Sequence, residues 1–220
     1  MIPVRQGTAF HESTSRPPPM KASSRERRRN QILDIAGEVL AERGYRDTSM
    51  LEVARRASAS KETLYAWFGD KEGLFKAIIR RNAESVRVVL DGHLEGDAPV
   101  NRVLTEFGLA LADLLLGESA AAVNRAAISE AYSSPSLARN LNELGREATL
   151  PSFIRYLENC NTQGTLRIGN PGEAAETFIG LLLGDAQVRR LLGVMDTPDM
   201  AEIEARAGRA SRRFIRLFGT

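Results

Sequence analysis

Apolar residues recur along most of this 220-residue chain at the spacing of one face of an α-helix. The first predicted helix runs from Arg25 to Arg43, and Gly44 follows it as the type of residue that ends a helix. Its apolar positions fall at i, i+4, i+7 and i+8: Ile32, Ala36, Val39 and Leu40. No segment keeps the two-residue alternation of a strand, so the pattern predicts an all-α fold.

Between residues 48 and 75, the pattern predicts two short helices, a tight turn between them and the start of a third helix. Ser49 and Glu52 have the spacing of a capping box, in which the Ser49 hydroxyl accepts from the Glu52 N–H and the Glu52 side chain reaches back. We expect a small apolar stripe on the inner face of the first short helix: Leu51, Ala54 and Ala57. The small residues from 57 to 60 interrupt the pattern and predict the turn.

The second short helix, from Lys61 to Phe68, begins after Ser60, which is a favourable N-cap residue. Leu64 and Phe68 stand at i and i+4 on its inner face, and Asp70 caps the helix that follows. The opposite face carries side chains with which a surface helix contacts a partner: Lys61, Thr63, Tyr65 and Trp67. This arrangement predicts a helix-turn-helix, whose second helix enters the DNA major groove.

The chain keeps the helical period beyond Asp70. A long helix is predicted to about Leu90, followed by a loop from Gly92 to Pro99. Three further apolar stripes mark helices: Phe107, Leu111, Leu114 and Leu115; Val123, Ala127, Ile128 and Ala131; Leu137, Leu141 and Leu144. Ser134 and Pro135 begin the last of these as N-cap and first helical residue, and Pro151 kinks or restarts it.

The last two predicted helices differ from the others. Residues 171–192 form one helix that is apolar nearly all round, and residues 199–218 carry an apolar stripe at near-heptad spacing. Such helices can pair with their copies in a second subunit as a four-helix bundle, and the alternative is an ordinary core within one chain. The candidate dimer-interface residues lie on these faces: Phe178, Leu182, Ala207, Phe214 and Leu217.

Charge is distributed unevenly, although the net charge is only +2. Residues 1–90 hold 17 Lys and Arg against 11 Asp and Glu, a net +6, whereas residues 91–220 carry a net −4. The positive part contains the predicted helix-turn-helix, as a phosphate-binding surface requires, and the alternative is a solvated basic face. Arg25 and the arginines from 27 to 29 leave two interpretations open: a solvated helix start, or a basic arm that meets DNA.

Composition argues against several other classes of protein. Cys160 is the sole cysteine, so we expect no disulfide framework and a cytoplasmic location. His11 and His93 stand far apart, outside any metal-ligand cluster, so no metal or other cofactor is expected. No apolar run reaches the ~18 residues of a membrane span, and the N-terminus lacks the apolar segment of a signal peptide.

The helix-turn-helix stretch resembles the DNA-binding domain of the TetR/AcrR family of bacterial transcriptional repressors. The matching residues lie within about residues 25 to 75: Gly44, Tyr45, Thr48, Ser49, Val53, Ala54, Ala57, Ser60, Thr63, Leu64, Tyr65, Phe68, Lys71, Glu72, Gly73 and Leu74. The family usually has Gly in the turn, where this chain has Ser58. Serine tolerates a positive φ less well than glycine, so the departure matters if the turn needs one.

The resemblance implies DNA-backbone contacts from the positions that match Thr48, Tyr65, Trp67 and Lys71, although the family often has His in place of Trp67. Lys71 stands at a helix N-terminus, where its ammonium and the helix N–H groups together suit a phosphate. The hydroxyl groups of Thr48 and Tyr65 and the indole N–H of Trp67 can also donate hydrogen bonds to phosphate.

Base contacts are expected from the first turn of the second short helix. Lys61 can donate to guanine O6 and N7, and the Thr63 methyl group can meet a thymine methyl. Glu62 either accepts from cytosine N4 or only favours the helix N-terminus electrostatically. The complete set of candidate DNA-binding residues is Thr48, Ser49, Ser60, Lys61, Glu62, Thr63, Tyr65, Trp67 and Lys71.

The C-terminal part offers no catalytic set, because the two histidines cannot be combined with a serine and an acid. Its sequences ISEAYSSPSLARN and LLLGDAQVRRLLG resemble a subgroup of the family with an AefR-like C-terminal domain. The family resemblance implies that this body encloses an apolar pocket for a small effector and that it dimerises through its last two helices. Candidate pocket residues are Phe107, Leu111, Tyr132, Phe153 and Tyr156, with a plain core as the alternative.

These patterns together predict a tail over residues 1–22, a helix-turn-helix DNA-binding domain over 23–70 and a helical effector-binding and dimerisation domain over 71–220. We expect a homodimeric transcriptional regulator, a repressor released from a palindromic DNA operator by a small hydrophobic effector. The alternatives are a helical small-molecule-binding protein or enzyme with a relic DNA-binding domain, a transcriptional activator, and a non-specific DNA binder.

Overall fold

The structure, a computed structural model, describes residues 24–93, 98–133 and 135–220. The predicted tail over residues 1–22, His11 and the predicted N-cap Ser134 therefore lie outside the described residues. Eleven α-helices and one π-helical turn form in the described part: α1 Ser24–Asp47, α2 Met50–Arg56, α3 Lys61–Phe68, α4 Lys71–Asp91, α5 Val100–Leu116, α6 Glu118–Ser129, α7 Pro135–Leu141, the π turn Asn142–Arg146, α8 Glu147–Thr162, α9 Pro171–Leu183, α10 Ala186–Leu191 and α11 Met200–Phe218.

Side-chain caps fix the start of α2, α3 and α4, as the sequence predicts. Ser49 Oγ accepts from Glu52 N at 3.2 Å, Ser60 Oγ from Thr63 N at 3.1 Å, and Asp70 Oδ1 from Gly73 N at 2.7 Å. Each bond satisfies a backbone donor that the first turn of a helix leaves unpaired. These three local bonds place α3, the recognition helix of the predicted helix-turn-helix, between two sharp turns.

Two other expectations for this region need correction. Leu51 is 66% exposed, and the inner stripe of α2 is Met50, Val53, Ala54 and Ala57. Because the Ser49 cap starts the helix at Met50, the i, i+3, i+4 and i+7 positions counted from that residue face the core. The Glu52 carboxylate accepts from Arg43, Arg55 and Arg56, so the predicted bond back to residue 49 gives way to ion pairs.

The core of the N-terminal helices continues into α6 and α7. Val123, Ala126 and Leu137 are buried in one cluster with the inner residues of α1 to α4. Gly37 of α1 allows this close approach, since a Cβ there would lie 3.0 Å from Ser119 Oγ of α6. Ile128 is 61% exposed and therefore does not belong to the buried face of α6.

A second core cluster joins the end of α4 to α5, α8, α9 and α11. Its centre is a set of aromatic rings contributed by four helices. The ring centroids of Phe107 and Phe153 lie 4.3 Å apart, and those of Phe178 and Phe214 lie 5.5 Å apart with nearly perpendicular planes. These are favourable geometries for aromatic pairs and bind the helices together.

The predicted single helix over residues 171–192 is divided into α9 and α10. Gly184 has φ 52° and ψ −128°, a backbone conformation that favours glycine, and its N–H donates to Gly180 O at 2.9 Å. The residue thus ends α9 as a C-cap, and the apolar pattern continues across the break because α10 is also partly buried. An apolar run does not reveal such a break by itself.

Pro151 lies inside α8, and the π turn Asn142–Arg146 comes directly before that helix. A proline lacks the N–H of its helical hydrogen bond and crowds the carbonyl four residues earlier. That carbonyl belongs to Glu147, the first residue of α8, and the helix runs through Pro151, so the predicted kink or restart there stays a prediction. None of the helices in the described part of the chain is long and apolar enough to cross a membrane.

Candidate nucleic-acid interface and effector cavity

The outer face of α3 presents polar and aromatic side chains to solvent. Lys61 is exposed, Tyr65 is 45% exposed, and Thr63 and Trp67 are half-buried. Lys61 Nζ lies 5.6 Å from the centre of the Tyr65 ring, a cation–π distance. Leu64, on the inner face, is fully buried and anchors the helix. The predicted contact face of the recognition helix is thus free in this structure.

The two cap serines differ in the hydrogen-bond donors that they keep for a ligand. Ser49 is exposed, and its oxygen accepts from the backbone, so its O–H remains able to donate to a phosphate. The hydroxyls of Ser60 and Thr63 lie 3.0 Å apart, and the Ser60 hydroxyl also bonds the Glu62 carboxylate, so both hydroxyl protons are used within the protein.

Thr48 and Lys71 are engaged within the protein. Thr48 is 6% exposed, and its Oγ1 donates to Gly44 O at 2.7 Å. Lys71 Nζ donates to Tyr45 O at 2.8 Å and to Arg46 O at 3.2 Å, and it lies 4.4 Å from the centre of the Tyr45 ring. Both side chains therefore fix the end of α1 against α2 and α4, and a phosphate contact from Lys71 would use its remaining N–H.

The arginines at the start of α1 pack against the helix-turn-helix. Arg28 donates to the carbonyls of Ala57 at 2.5 Å and Ser58 at 2.9 Å, and Arg25 lies 5.8 Å from the Trp67 ring centre. Arg27 is exposed and has no partner within the described residues. Arg29 lies 5.3 Å from the centre of the Phe68 ring. Three of the four arginine side chains therefore pack against the motif, and a basic arm that contacts DNA would depend chiefly on Arg27.

Carboxylates near the motif stay ionised. Hydrogen bonds from Arg55 and Arg56 lower the pKa of Glu52 to about 2. The backbone N–H of Glu62, in the first turn of α3, and the Ser60 hydroxyl hold the pKa of the Glu62 carboxyl below its usual range. At neutral pH the recognition helix therefore carries one negative charge beside Lys61, and a negative group there disfavours phosphate and favours a base-edge donor.

A cavity of about 440 Å³ lies between the helices of the C-terminal body. Phe107, Leu111 and Phe153 line it, in agreement with three of the five candidate residues. Helices α4 to α10 and the π turn contribute the rest of the wall, which is mostly apolar: Ile79, Ala83, Val86, Leu114, Leu115, Ala120, Val123, Ala138, Leu141, Gly145, Leu150, Ile179 and Leu183. Its size and lining are those of a site for a small organic ligand.

The two candidate tyrosines lie outside the cavity. Tyr132 follows the end of α6, where its side chain is fully exposed, and Tyr156 is buried beside Cys160 on another face of α8. Burial raises the pKa of the Tyr156 phenol. Both assignments are corrected: Tyr132 lies beyond Ser129, the last residue of α6, and Tyr156 packs in the plain core that the sequence left as the alternative.

Sequence inspection missed the polar residues of the cavity wall: Asn82, Asn124, Asn142, Arg146, Thr149 and Gln187. Asn124 does carry a signal, because it stands directly after Val123 on the buried side of α6. A polar residue within an apolar stripe is unusual and points to a polar partner or a ligand.

Four of the candidate dimer-interface residues are fully buried within one protomer: Phe178, Leu182, Ala207 and Phe214. They have no solvent-exposed area that a second copy could bury, so they belong to the core of one chain, which was the alternative to a dimer interface. Leu217 is 61% exposed. The outer side of α9 and α10 also carries exposed small and apolar residues, among them Gly180, Val188 and Leu192.

Two family models together cover most of the chain. The model described as "Bacterial regulatory proteins, tetR family" matches residues 32–78. The model described as "AefR-like transcriptional repressor, C-terminal domain" matches residues 102–220, more than half of the chain. Both matches agree with the resemblance seen in the sequence.

Similar proteins are regulators of the same kind. The chain is 25% identical over 154 residues to the HTH-type transcriptional regulator YvkB of Bacillus subtilis, covering 70% of this chain and 78% of that protein. A TetR transcriptional regulator from Agrobacterium tumefaciens has a TM-score of 0.67 and 34% identity, over 88% of this chain and 95% of that one. The flavonoid-responsive regulator FrrA has a TM-score of 0.59 and 28% identity, over 88% and 97%. The chain belongs to the TetR family of bacterial transcriptional regulators, with an AefR-like C-terminal domain, and is a regulator rather than an enzyme.

Proposed function

We propose that this protein is a cytoplasmic repressor that binds a pseudo-palindromic DNA operator as a homodimer and leaves it when a small hydrophobic effector occupies the cavity. The observation that carries the proposal is the sharing of α6 between two sites. Ala120 and Val123 of this helix line the cavity, while Ala122 and Ala126 are buried in the cluster that contains α1. Ligand and DNA thus act on one connected body.

The DNA contacts divide between positioning and reading. Ser49, at the start of α2, and Tyr65 and Trp67 of α3 donate to phosphates, and Lys61 and Thr63 of α3 meet base edges. The side chains of Thr48 and Lys71 support this surface from behind. In a dimer the two recognition helices would lie about 34–36 Å apart, one turn of B-DNA.

The outer side of α9, α10 and α11 suits a second copy of the chain. Gly180 is exposed, and a Cβ placed there would meet nothing within 4 Å, so another backbone can approach closely. Leu192 and Leu217 add exposed apolar area at 70% and 61% exposure. The likeness to a family of symmetric regulators supports this surface over others, since a palindromic site needs a two-fold axis.

A ligand in the cavity can change DNA affinity by population shift, provided that it prefers one arrangement of α6 and α4 over the other. Asn82 and Val86 of α4 line the cavity, and Leu74 of the same helix is buried against the helix-turn-helix. The similar regulator FrrA supports an effector of this size, since it is flavonoid-responsive. The description of the C-terminal family model supports repression.

Selection of bound duplexes from a genomic-fragment library with the purified protein tests the proposal. We expect a small set of fragments that share a pseudo-palindrome, and binding whose log K falls with log salt by about 0.9 per phosphate contact. Equal affinity for all duplexes would contradict specific operator binding. Reporter expression from a recovered operator then decides the sign, because a repressor raises expression when it is deleted.

A further inference from the structure

The charge of the cavity wall restricts the ligand. Among the described residues, no Asp or Glu lines the cavity, so a cationic ligand would find no counter-charge. Arg146 is the one charged lining residue of this part of the chain, and it stands at the exposed edge with its guanidinium 2.8 Å from the Glu176 carboxylate. An anionic ligand would have to compete with that ion pair. The wall therefore favours an uncharged molecule.

Three polar residues of the wall, Asn124, Asn142 and Thr149, present hydrogen-bond acceptors, beside the amides of Asn82 and Gln187, which can donate and accept. Asn124 Nδ2 donates to Ala120 O at 2.8 Å, and Asn142 Nδ2 donates to Glu147 Oε1 at 2.6 Å. A backbone carbonyl and a carboxylate can only accept, so these bonds fix which end of each amide is nitrogen. Neither Asn124 Oδ1 nor Asn142 Oδ1 has a donor among the described residues, and both oxygens can accept from a ligand.

Thr149 adds a third acceptor from α8. Its hydroxyl donates its only proton to Gly145 O at 3.0 Å, which leaves two lone pairs on Oγ1. These acceptors come from α6, the π turn and α8, and they share the wall with the stacked rings of Phe107 and Phe153. A ligand that satisfies them must carry hydroxyl or N–H donors on an apolar, preferably aromatic, frame.

From this arrangement we propose that the cavity binds uncharged aromatic molecules that carry phenolic hydroxyls. The ring system lies against Phe107 and Phe153, and the hydroxyls donate to Asn124 and Thr149, with Asn142 at the edge. A ligand without donors would desolvate these oxygens and leave them unpaired, which is the basis of strong selection for hydroxyl groups. That the ligand is also the effector rests on the proposed function.

Calorimetry with the full chain in the absence of DNA tests this chemistry. The compounds are matched pairs on two frames: 7-hydroxyflavone with 7-methoxyflavone, and biphenyl-4-ol with 4-methoxybiphenyl. Biphenyl-4-carboxylate and 4-phenylbenzylamine supply an anion and a cation of the same frame. We expect each phenol to bind about tenfold more tightly than its methyl ether, and both charged compounds to bind more weakly than the phenol.

Two near-isosteric variants link the preference to the acceptors. Asn124→Leu and Thr149→Val should each reduce the preference for the phenol, and the double variant should bring phenol and ether to within about twofold of each other. The phenol then loses its acceptors, and the ether binds more tightly because it no longer leaves these oxygens unpaired. Asn142→Leu, at the exposed edge, is a third variant that places little demand on folding. Asn101→Leu, on the exposed side of α5 outside the cavity, is the control and should keep the tenfold preference.

Several results would overturn the proposal: no phenol binding, equal affinity for phenols and ethers in the unaltered protein, tightest binding of the amine or carboxylate, or an unchanged preference in the folded acceptor variants.

Operator binding separates this proposal from the proposed function. If phenols bind as expected but leave operator affinity unchanged, the ligand chemistry stands and the effector role fails. If a charged compound displaces the operator, the effector role stands and this chemistry fails.

Discussion

Ser58 is the clearest departure of this chain from its family, and the structure shows its cost. The residue has φ 47°, the one positive φ at a non-glycine position among the described residues. A side chain in this left-handed region costs about 1 kcal/mol or more, because Cβ crowds the backbone. Arg28 offsets part of that cost by donating to the carbonyls of Ala57 and Ser58.

Ser58→Gly should therefore raise the free energy of unfolding by about 1 kcal/mol, less the added freedom of glycine in the unfolded chain. Urea denaturation followed by circular dichroism measures the change. Ser85→Gly, an exposed position inside α4, should lower stability instead. A Ser58→Gly protein less stable than the unaltered one would show that the serine side chain stabilises the turn.

Lys61 and Lys71 separate DNA reading from support of the motif. Lys61→Ala should leave the unfolding transition unchanged and relax preference at one base pair, by about 1–3 kcal/mol between the best and other bases. Lys71→Met should lower stability by about 1–2 kcal/mol, because the carbonyls of Tyr45 and Arg46 lose a charged donor. It should weaken binding to all duplexes alike.

Thermal unfolding measures the stability of the Lys61→Ala and Lys71→Met proteins, and binding to single-base operator variants measures their base preference. A Lys71→Met protein of unchanged stability would mean that the bonds to Tyr45 and Arg46 contribute nothing. A change of base preference in that variant would move the residue from support to reading.

Helix starts in this chain were predictable, whereas outward and inward faces were less so. The caps at Ser49, Ser60 and Asp70 rest on bonds between residues three apart, so neighbouring sequence determines them. The faces depend on distant partners. Leu51 is exposed because α1 meets the other side of α2, and Phe214 is buried because Phe178 of the same chain covers it.

The candidate sites follow the same division. Lys61, Thr63, Tyr65 and Trp67 share one side of one short helix, and the period alone places them on the outer face. The cavity collects residues from seven helices and a π turn, so its polar members had no common signal in the sequence. Aromatic content suggested Tyr132, but cavity walls depend on packing between helices rather than on residue type.

Arg190 of α10 joins several elements of the C-terminal body. It is 5% exposed and donates to Leu116 O, Met195 O, Thr197 Oγ1 and the Glu118 carboxylate, all between 2.7 and 2.9 Å. This hydrogen bond from Arg190 holds the pKa of the Glu118 carboxyl below its usual range. The guanidinium thus caps the end of α5 and holds α6 and α10 together beside the cavity.

Arg190→Met should lower the free energy of unfolding by about 2–4 kcal/mol, because buried carbonyls lose their donors. Arg189→Met is the matched control: its side chain is exposed on the same helix, and its loss should change stability by less than about 0.5 kcal/mol. Equal unfolding temperatures for the two variants would contradict the structural role of Arg190.

The proposed dimer surface on α9 can be tested without disturbing the protomer core. Gly180→Arg places a long charged side chain where a Cβ meets nothing in the protomer. The protomer should fold, since most residues are better helix formers than glycine. Burial of an unpaired guanidinium in an interface costs about 3–5 kcal/mol, so sedimentation should show monomers.

Two controls accompany this variant. Gly180→Ala adds only a methyl group, and Ala148→Arg places the same charge on the exposed side of α8. Both should remain dimeric. A Gly180→Arg protein that stays a dimer would exclude close approach at this part of α9 and would move the interface elsewhere.

At the scale of the whole molecule, α6 and α4 connect the cavity to the helix-turn-helix. Arg46 of α1 is bonded to Glu130, just beyond α6, at 2.8 Å, and Asn140 of α7 is bonded to Glu72 of α4 at 2.9 Å. Both core clusters include residues of α4, and the α6 residues Ala122 and Ala126 are buried with α1. We expect a ligand that shifts α6 or α4 to act on the recognition helix α3 through α1 and α4.

Thermodynamic linkage between ligand and operator tests this coupling most directly. The affinity of a cavity ligand is measured with and without operator, and that of operator with and without saturating ligand. Leu111→Trp, which fills part of the cavity, serves to show where the ligand binds. We expect the ligand to weaken operator binding by about 5- to 150-fold and the operator to weaken ligand binding by the same factor. If Leu111→Trp abolishes ligand binding, the ligand occupies the cavity. If that ligand, at saturation, then leaves the operator affinity of the unaltered protein unchanged, regulation through the cavity is contradicted.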